Sequence, residues 1–254
     1  MKTTVITGAA SGIGAAVKQQ LEAAGHKVIS VDRQQADVVA DLSTAAGRDT
    51  AVGEILKYTD HIDGLVCCAG VGVTAPNSAV IIEVNYFGAV DLINGLKSRL
   101  QQAEQPAITV IGSFAASQQL ANPDALSQAL ISNNADLAHQ LLADIQGPHV
   151  AYSASKYALT VFCRQQALEF GQQGIRLNVV APGAVATPLH QASLEDPKFG
   201  QAVKNFVAPL GAHTDAEQIA KSVVFLQSAD ASFIHGSVLF VDGGMDAMLR
   251  PNSF

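Results

Sequence analysis

Tyr152 and Lys156 are the residues whose types and spacing most directly suggest chemistry, because they lie four positions apart. On a helix this spacing puts both side chains on one face. A free tyrosine has a pKa of about 10 and is a poor base at neutral pH; lowering that pKa to about 7 requires roughly 4 kcal/mol of phenolate stabilisation. A nearby ammonium group in a partly dry site can supply much of this. The pair suggests proton exchange, although an amphipathic helix can carry both residues incidentally.

A glycine-rich turn near the start of the chain suggests a phosphate site. Gly8, Gly12 and Gly14, with Ser11 and Ile13 among them, follow an apolar run and open a predicted helix. Glycines permit a tight turn and close backbone approach to a pyrophosphate, and the helix N-terminus offers unpaired N–H groups and partial positive charge. The turn predicts dinucleotide binding, although an ordinary strand-to-helix turn can look the same.

Asp32 closes the second apolar run, 18 residues after Gly14, where dinucleotide-binding folds place an acidic residue. Its carboxylate can accept hydrogen bonds from both ribose hydroxyls and would repel a 2′-phosphate, which favours NAD(H) over NADP(H). The neighbouring Arg33 leaves the opposite preference open. Asp41 and Leu42 follow the next short apolar run and are candidates for the adenine end, with a plain helix-entry role open for Asp41.

The elements that must position these residues form an alternating pattern. Near-continuous apolar runs, typical of parallel strands covered on both faces, predict strands at residues 3–7, 27–31, 64–68, 107–111, 176–181 and 237–241. Amphipathic stretches predict helices at about residues 12–24, 45–57, 80–101, 152–171 and 215–226. This order predicts an α/β fold, a doubly wound (Rossmann) parallel sheet with helices on both faces. Without linkers or repeats, residues 1–254 are expected to form a single NAD-binding domain.

Two segments interrupt the regular spacing. The first, at residues 114–151, is expected to be a helical insertion before Tyr152, because apolar residues recur at turn-like intervals at Leu126, Leu130, Leu137, Leu141 and Ile145. Asn133 and Asn134 would divide it into two short helices, with one of the two asparagines capping the second helix. The second segment, at residues 187–213, is expected to be a substrate-binding loop or lid.

Composition narrows the function classes. The formal net charge is −7 and Lys and Arg form no runs, so a nucleic-acid partner is not expected. The three cysteines, Cys67, Cys68 and Cys163, are expected to be buried reduced thiols in a reducing compartment. No signal peptide and no uncharged membrane-length stretch is recognisable, which favours the cytoplasm and no membrane partner. The seven histidines form no pair at ligand spacing, so no metal site is expected; His190 is a solvated loop residue or a substrate contact.

Several motifs occur in an order that resembles the short-chain dehydrogenase/reductase family over nearly the whole chain. They are residues 7–14, 68–70, 84–88, Ser113, the Tyr152–Lys156 pair and residues 182–183. The resemblance implies that Ser113 orients the substrate oxygen, Tyr152 exchanges the proton, Lys156 lowers the tyrosine pKa and holds the nicotinamide ribose, and Asn85 anchors a relay water. It also implies an NAD(H) site that includes Ala69, Gly70, Pro182, Gly183, Val185 and Thr187.

The chain departs from the usual family pattern in two places: at Cys67 and Cys68, and in the length of the insertion at residues 114–151. Cys67 and Cys68 stand where many members have two asparagines, so the support of the neighbouring backbone is in question. The insertion, together with residues 36–44 and 241–251, resembles the bacterial 3α-hydroxysteroid dehydrogenase/carbonyl reductase branch. That branch implies interconversion of 3α-hydroxyl and 3-oxo steroids. Apolar residues of the second segment would roof a flat ligand or simply pack on the core: Leu189, Leu194, Phe199, Phe206, Val207 and Leu210.

Two other functions remain open at this point. The same fold and residues would suit an NAD(H)-dependent reductase of other hydrophobic carbonyl compounds, and apolar loop residues do not separate the two. A non-catalytic NAD(H)-binding sensor would not need Asn85, Ser113, Tyr152 and Lys156 together. A homodimer is expected, with the C-terminal segment as a candidate interface and the insertion covering another surface.

Overall fold

The computed structural model describes residues 1–120, 122–144, 147–198, 200–205 and 207–253. Nine strands lie in these residues: β1 (Thr3–Thr7), β2 (Lys27–Asp32), β3 (Val38–Val39), β4 (Gly64–Cys67), β5 (Ala107–Ile111), β6 (Arg176–Pro182), β7 (Val185–Ala186), β8 (Thr214–Asp215) and β9 (Val238–Val241). Seven form a parallel sheet in the order β3-β2-β1-β4-β5-β6-β9, and β7 pairs with β8. The order reverses between β1 and β4, which is the doubly wound topology predicted.

Eleven α-helices lie in the described residues: α1 (Gly12–Ala23), α2 (Ala45–Tyr58), α3 (Ser78–Ile82), α4 (Gly88–Leu100), α5 (Ala125–Ile131), α6 (Ala135–Leu142), α7 (Pro148–Gln172), α8 (Pro188–Glu195), α9 (Gly200–Asn205), α10 (Ala216–Gln227) and α11 (Met245–Leu249). Alternate residues of β1 face two apolar cores, Val5 in one and Ile6 in the other. Helices α1 and α10 pack together over the Ile6 core, and α2, α4 and α7 cover the Val5 core. The predicted layers are therefore confirmed.

The six predicted strands are correct to within one residue, but two helix predictions need correction. Helix α7 begins at Pro148 rather than Tyr152, since proline is well suited to the first turn of a helix. The predicted helix at residues 80–101 is interrupted by a π-helical turn, Glu83–Phe87, between α3 and α4. Such single π-turns are rare and frequently mark functional sites.

The insertion before Tyr152 has the two short helices expected. Asn133 takes a left-handed conformation with φ of 52°, which ends α5, and the side chain of Asn134 accepts a hydrogen bond from the backbone N–H of Leu137 at the start of α6. Leu126 and Leu130 are buried, whereas Leu137 is exposed. Ile145 lies outside the described residues. A 3₁₀ turn, Phe114–Gln119, precedes α5 and packs against α7.

The second segment was expected to be a loop, but it contains α8 and α9. Thr187 begins α8 by accepting a hydrogen bond from the backbone N–H of His190, and Pro188 occupies the first turn. Capping and a first-turn proline are helix-start signals, and the prediction of a loop from the length of the segment did not take them into account. Phe199 and Phe206 lie outside the described residues.

Ser78–Leu100 is long and apolar enough to meet a length-and-hydropathy criterion for a membrane span, with mean hydropathy 1.3. It carries Glu83 and Asp91, and 61% of the apolar window is buried inside the protein. Buried core helices meet the same criterion, so the stretch is weak evidence for membrane insertion.

Candidate active site

The glycine turn after β1 is closed to larger residues. Gly8 has φ of +69°, and a Cβ there would lie 2.7 Å from the Ala69 backbone. A Cβ at Gly14 would lie 2.1 Å from the Gly8 carbonyl oxygen. Gly12 also has positive φ, +54°, and a Cβ there would meet the Thr187 side chain at 3.3 Å. Glycine is required here by backbone conformation and by contact, as the sequence predicted.

The N-terminus of α1 can receive an anion. Ser11 is its N-cap residue and is exposed, but the Ser11 side chain makes no capping hydrogen bond. The first N–H groups of a helix have no partner within the helix, and the macrodipole adds partial positive charge. Ile13 and Gly14 continue this first turn. The donor set and the glycine cradle together fit a dinucleotide pyrophosphate.

Asp32 at the end of β2 is oriented by the same turn. One carboxylate oxygen accepts a hydrogen bond from the Ala10 N–H at 3.0 Å, and the other accepts one from the Arg33 N–H at 2.7 Å. The residue is partly exposed. Two backbone donors therefore fix the Asp32 carboxylate beside the glycine turn. Its remaining lone pairs can accept hydrogen bonds from the hydroxyl groups of a ribose.

Asp41 and Leu42 follow β3 and differ in exposure. Asp41 is exposed, and the Ser43 backbone N–H holds the pKa of its carboxyl below the ordinary value. Leu42 is buried, and its carbonyl accepts a hydrogen bond from Arg48 at 3.2 Å. The arrangement lets Leu42 form a wall of a site, whereas Asp41 organises the turn into α2.

The backbone after β4 is supported without the two asparagines. Ala69 donates its N–H to the Thr7 hydroxyl at 3.1 Å. Asn85 brackets Val71: its carbonyl oxygen accepts from the Val71 N–H at 2.8 Å, and its amide nitrogen donates to the Val71 carbonyl at 3.0 Å. The doubt raised by Cys68 is therefore resolved, because residues from β1 and the π-helical turn supply the hydrogen bonds.

Gly70 lies between two of the predicted catalytic residues. A Cβ at Gly70 would stand 3.3 Å from the Asn85 carbonyl oxygen and 3.5 Å from the Lys156 ammonium nitrogen. Asn85 also donates to the Ser155 hydroxyl at 3.3 Å, which links the π-helical turn to α7. Asn85 and Lys156 therefore lie close together around Gly70.

Ser113 and Tyr152 meet at the carboxyl end of β5. The Ser113 hydroxyl accepts a hydrogen bond from the Ala115 N–H at 3.1 Å and also bonds the Tyr152 side chain. Burial raises the pKa of Tyr152, and the bond to Ser113 lowers it by less, so the net direction is upward. The pair is placed to hold one substrate oxygen between two hydroxyl groups.

Lys156 lies on α7 one turn after Tyr152. Its side chain is buried and donates a hydrogen bond to the Ile111 carbonyl at 2.8 Å. Burial lowers its pKa to about 8. The raised pKa of Tyr152 is opposite in direction to the effect expected from Lys156, because desolvation of the phenol dominates in this structure. The lowering of the tyrosine pKa by Lys156 therefore stays a prediction.

The stretch after β6 lies against the C-terminal segment and the glycine turn. Pro182 ends β6, and a Cβ at Gly183 would lie 2.8 Å from the Asp242 backbone. Val185 is buried, and its carbonyl accepts a hydrogen bond from the Thr187 hydroxyl at 3.2 Å. This part of the predicted NAD(H) site thus contacts the glycine turn through Thr187 and Gly12.

Helix α8 begins beside the glycine turn, because its N-cap residue Thr187 contacts Gly12, and the space that these elements border with Tyr152 is called the active-site groove below. Leu189 packs against Gly72, where a Cβ would lie 3.1 Å from the leucine side chain. An open pocket of about 310 Å³ adjoins α8 and is lined by Ala186, Thr187, Pro188, His190, Gln191, Leu194 and His213. Burial and His213 lower the pKa of His190. Among the described residues no cluster of metal-ligating side chains occurs.

Sequence reasoning missed Arg48 and Glu83, which lie beside the site. Arg48 is buried on α2 and bonds Glu83, the first residue of the π-helical turn, at 2.6 Å. An arginine within an otherwise amphipathic helix gives no sequence signal of burial. The contact spans 35 positions and becomes visible only in the fold.

Two family models match the chain. One, described as short chain dehydrogenase, matches residues 2–126, and one described as Enoyl-(Acyl carrier protein) reductase matches residues 138–246. The chain is 42% identical to the 3-alpha-hydroxysteroid dehydrogenase/carbonyl reductase of Comamonas testosteroni, with 100% of each covered. It is 29% identical to 3beta-hydroxysteroid dehydrogenase 1 of Eggerthella lenta, over 96% of this chain and 93% of the relative.

A solved structure is also similar over the full length. The 3-alpha-hydroxysteroid dehydrogenase from Pseudomonas sp. B-0831, complexed with NADH, superposes with a TM-score of 0.97 at 50% identity and 100% coverage of both chains. Fold, motif order and relatives agree. The chain therefore belongs to the short-chain dehydrogenase/reductase family of oxidoreductases.

Proposed function

We propose that the protein transfers hydride between NAD(H) and a secondary alcohol or ketone, and that its substrate is the 3α-hydroxyl or 3-oxo group of a steroid. The observation that carries the proposal is that the Ser113 and Tyr152 side chains meet beside the buried Lys156, at the carboxyl end of the sheet that also holds the glycine turn. The steroid class is supported by the names of the Comamonas and Pseudomonas relatives.

The residues proposed to hold NAD(H) lie along the carboxyl end of the sheet, from the glycine turn at the phosphates to Thr187 at the nicotinamide. They are Gly8, Ser11, Gly12, Ile13, Gly14, Asp32, Asp41, Leu42, Ala69, Gly70, Tyr152, Lys156, Pro182, Gly183, Val185 and Thr187. Asp32 would accept the ribose hydroxyls and repel a 2′-phosphate, which supports NAD(H) over NADP(H). When bound, the nicotinamide supplies the hydride acceptor in oxidation and the donor in reduction.

Tyr152 is the proposed acid/base. In oxidation its phenolate takes the hydroxyl proton of the substrate, and in reduction its phenol protonates the developing alkoxide. Ser113 holds the same oxygen. Lys156 would stabilise the phenolate electrostatically against the desolvation that raises the tyrosine pKa. Asn85, fixed on Val71, would anchor a water that passes the proton to solvent.

Residues 187–213 are proposed as the substrate-covering segment. Leu189, Val207 and Leu210 are exposed, Leu210 at 89%. The exposure of these three side chains counts against their packing on the core, whereas Leu194 is half-buried. They fit a roof for a flat apolar ligand. The Comamonas relative's name also includes carbonyl reductase, so reduction of other hydrophobic carbonyl compounds is the second candidate.

We further propose a cytoplasmic homodimer built on a single domain of residues 1–254, in which residues 114–151 are an insertion. Strand β9 is an edge of the sheet, and Phe233 and Leu239 near it are exposed, Phe233 completely. A free strand edge with exposed apolar side chains is a candidate self-association surface. Sedimentation would test it: a monomer in Phe233→Glu supports this surface, and an unchanged dimer counts against it.

A substrate panel tests the proposed reaction. NADH formation is followed with NAD⁺ and a 3α-hydroxysteroid, its 3β epimer and a simple secondary alcohol, each repeated with NADP⁺. Preference for the 3α epimer and NAD⁺ supports the proposal. Turnover of the simple alcohol alone would support the second candidate, and no turnover of any alcohol or carbonyl despite NADH binding would contradict both.

A further inference from the structure

A buried arginine joins a carboxylate at the start of the π-helical turn to a carboxylate in the helix that follows it. Arg48 on α2 donates from Nη1 to Glu83 at 2.6 Å and from Nε to Asp91 on α4 at 2.6 Å. Its side chain is 8% exposed, that of Glu83 is 17% exposed, and that of Asp91 is 45% exposed. Charge-assisted bonds of this kind are stronger and more directional than neutral hydrogen bonds.

These two bonds depend on the register of the π-helical turn. A regular α-helix rotates about 100° per residue, so Glu83 and Asp91, eight positions apart, would point about 80° away from each other. The i→i+5 bonding of Glu83–Phe87 rotates the chain less per residue and takes up this offset. One guanidinium can therefore reach both carboxylates in the π register, and a return to α geometry would separate them.

The same register aims Asn85, which lies within the turn. Asn85 reaches the Val71 backbone and the Ser155 hydroxyl from its present orientation. Relaxation to a continuous α-helix would remove one residue's offset, and residues in the turn would rotate by up to about 100°. The amide would then point away from Val71 and from α7.

The insertion contacts this cluster as well. His139 on α6 lies 2.7 Å from the second carboxylate oxygen of Glu83. Arg48 also bonds the Leu42 carbonyl, at the proposed adenine wall. Glu83 therefore connects α2, the π-helical turn and the insertion through one carboxylate.

We propose that Arg48 is a positioning residue that acts through Glu83 and Asp91 to hold the π register and thereby keeps Asn85 in place for proton transfer. His139, through its contact with Glu83, links the insertion to the π-helical turn. The inference rests on the proposed function, because it assigns Arg48 a role through the proton-relay position of Asn85. It adds Arg48, Glu83 and Asp91 to the residues that determine turnover.

A double-mutant cycle tests whether Arg48 acts through Asn85. Arg48→Met is made in the native chain and in Asn85→Ala, and kcat is measured at saturating NAD⁺ so that the Leu42 contact does not enter. We expect kcat to fall about tenfold in the native chain and less than about twofold in Asn85→Ala, with NADH still bound. Lys97→Met is the matched control, since Lys97 on α4 pairs with Glu169 away from the turn; its kcat should not change.

Arg48→Met leaves Glu83 partly buried without the guanidinium and can impair folding. Asp91→Asn is the second variant, because the Asp91 side chain is nearly half exposed and the substitution keeps its shape. We expect about a threefold lower kcat in the native chain and no further loss in Asn85→Ala. The melting temperature of each variant identifies those that are folded.

The outcomes separate the inference from the proposed function. Equal losses in both backgrounds would overturn the inference while leaving Asn85 its role. Full turnover of Asn85→Ala would overturn the role of Asn85, and the inference with it. A loss confined to the native background supports both.

Discussion

The two sides of the active-site groove are built differently. On the cofactor side, the turn around Gly8 and Gly14 leaves 2.7 Å or less for an added Cβ, and the neighbouring atoms are backbone. On the substrate side, α8 has no buried residue, and it meets the body through contacts such as that between Leu189 and Gly72. The proposed cofactor side is therefore fixed by backbone geometry, and the proposed substrate side is shaped by side chains that can be exchanged.

Gly14→Ala should disrupt the glycine turn, and we expect its effect on NADH binding to be the largest of the changes considered. Its Cβ would overlap the Gly8 carbonyl oxygen at 2.1 Å, which only a backbone shift can relieve. We expect at least about 100-fold weaker NADH binding, equivalent to about 2.7 kcal/mol. Fluorescence titration measures it, and Gly53→Ala on α2, where nothing lies within 4 Å, is the control. Native affinity in Gly14→Ala would refute the close approach.

Asp32→Ala should change the preference between NAD⁺ and NADP⁺. It should disturb folding less than Gly14→Ala does. Removal of the carboxylate abolishes its repulsion of a 2′-phosphate and leaves Arg33 free to bind one. We expect the ratio of kcat/KM for NAD⁺ to that for NADP⁺ to fall about 10- to 100-fold. Asp49→Ala, an exposed aspartate on α2, is the control. An unchanged ratio would mean that Asp32 does not determine the preference for NAD⁺ over NADP⁺.

Leu189→Ala should affect the substrate side alone. It shortens the side chain that packs on Gly72 and offers less apolar surface to a ligand. Small changes in an apolar pocket are worth about 1–3 kcal/mol, so kcat/KM for the steroid should fall about 10-fold. NADH affinity should stay within about twofold of native. A parallel loss of NADH affinity would mean that the two sides are not independent.

Asn134→Ala should have the smallest effect. It removes the hydrogen bond that caps α6, at a typical cost of about 1 kcal/mol. We expect a lower melting temperature and unchanged kinetics with both ligands. Altered kinetics would indicate that the insertion shapes the groove more directly than its cap suggests.

Much of the cofactor side could be predicted from sequence because its constraints are local. Near-continuous apolar runs identified the six long strands, and the glycines identified the turn. The Asn133–Asn134 boundary was predictable for the same reason, since capping acts over three residues. On the substrate side, α8 and α9 were missed because the length of residues 187–213 was interpreted as a loop, although Thr187 and Pro188 are helix-start signals.

The π-helical turn could not be predicted, because residues 78–100 have the composition of one continuous amphipathic helix. Its register depends on the bonds from Arg48, which lies 35 positions before Glu83. The net pKa of Tyr152 was also beyond sequence, since it depends on how far α7 is buried against Ser113. Both features arise from contacts between distant segments.

The proposed reaction depends most on Tyr152, which exchanges the proton in NAD(H)-dependent oxidation of a 3α-hydroxysteroid. The most direct measurement compares NADH formation from that steroid by the native enzyme and by Tyr152→Phe, with NADH binding titrated in both. A positioned acid/base is typically worth about 10²- to 10⁴-fold, so turnover should fall in that range while NADH affinity is retained. Native turnover in Tyr152→Phe would contradict the claim.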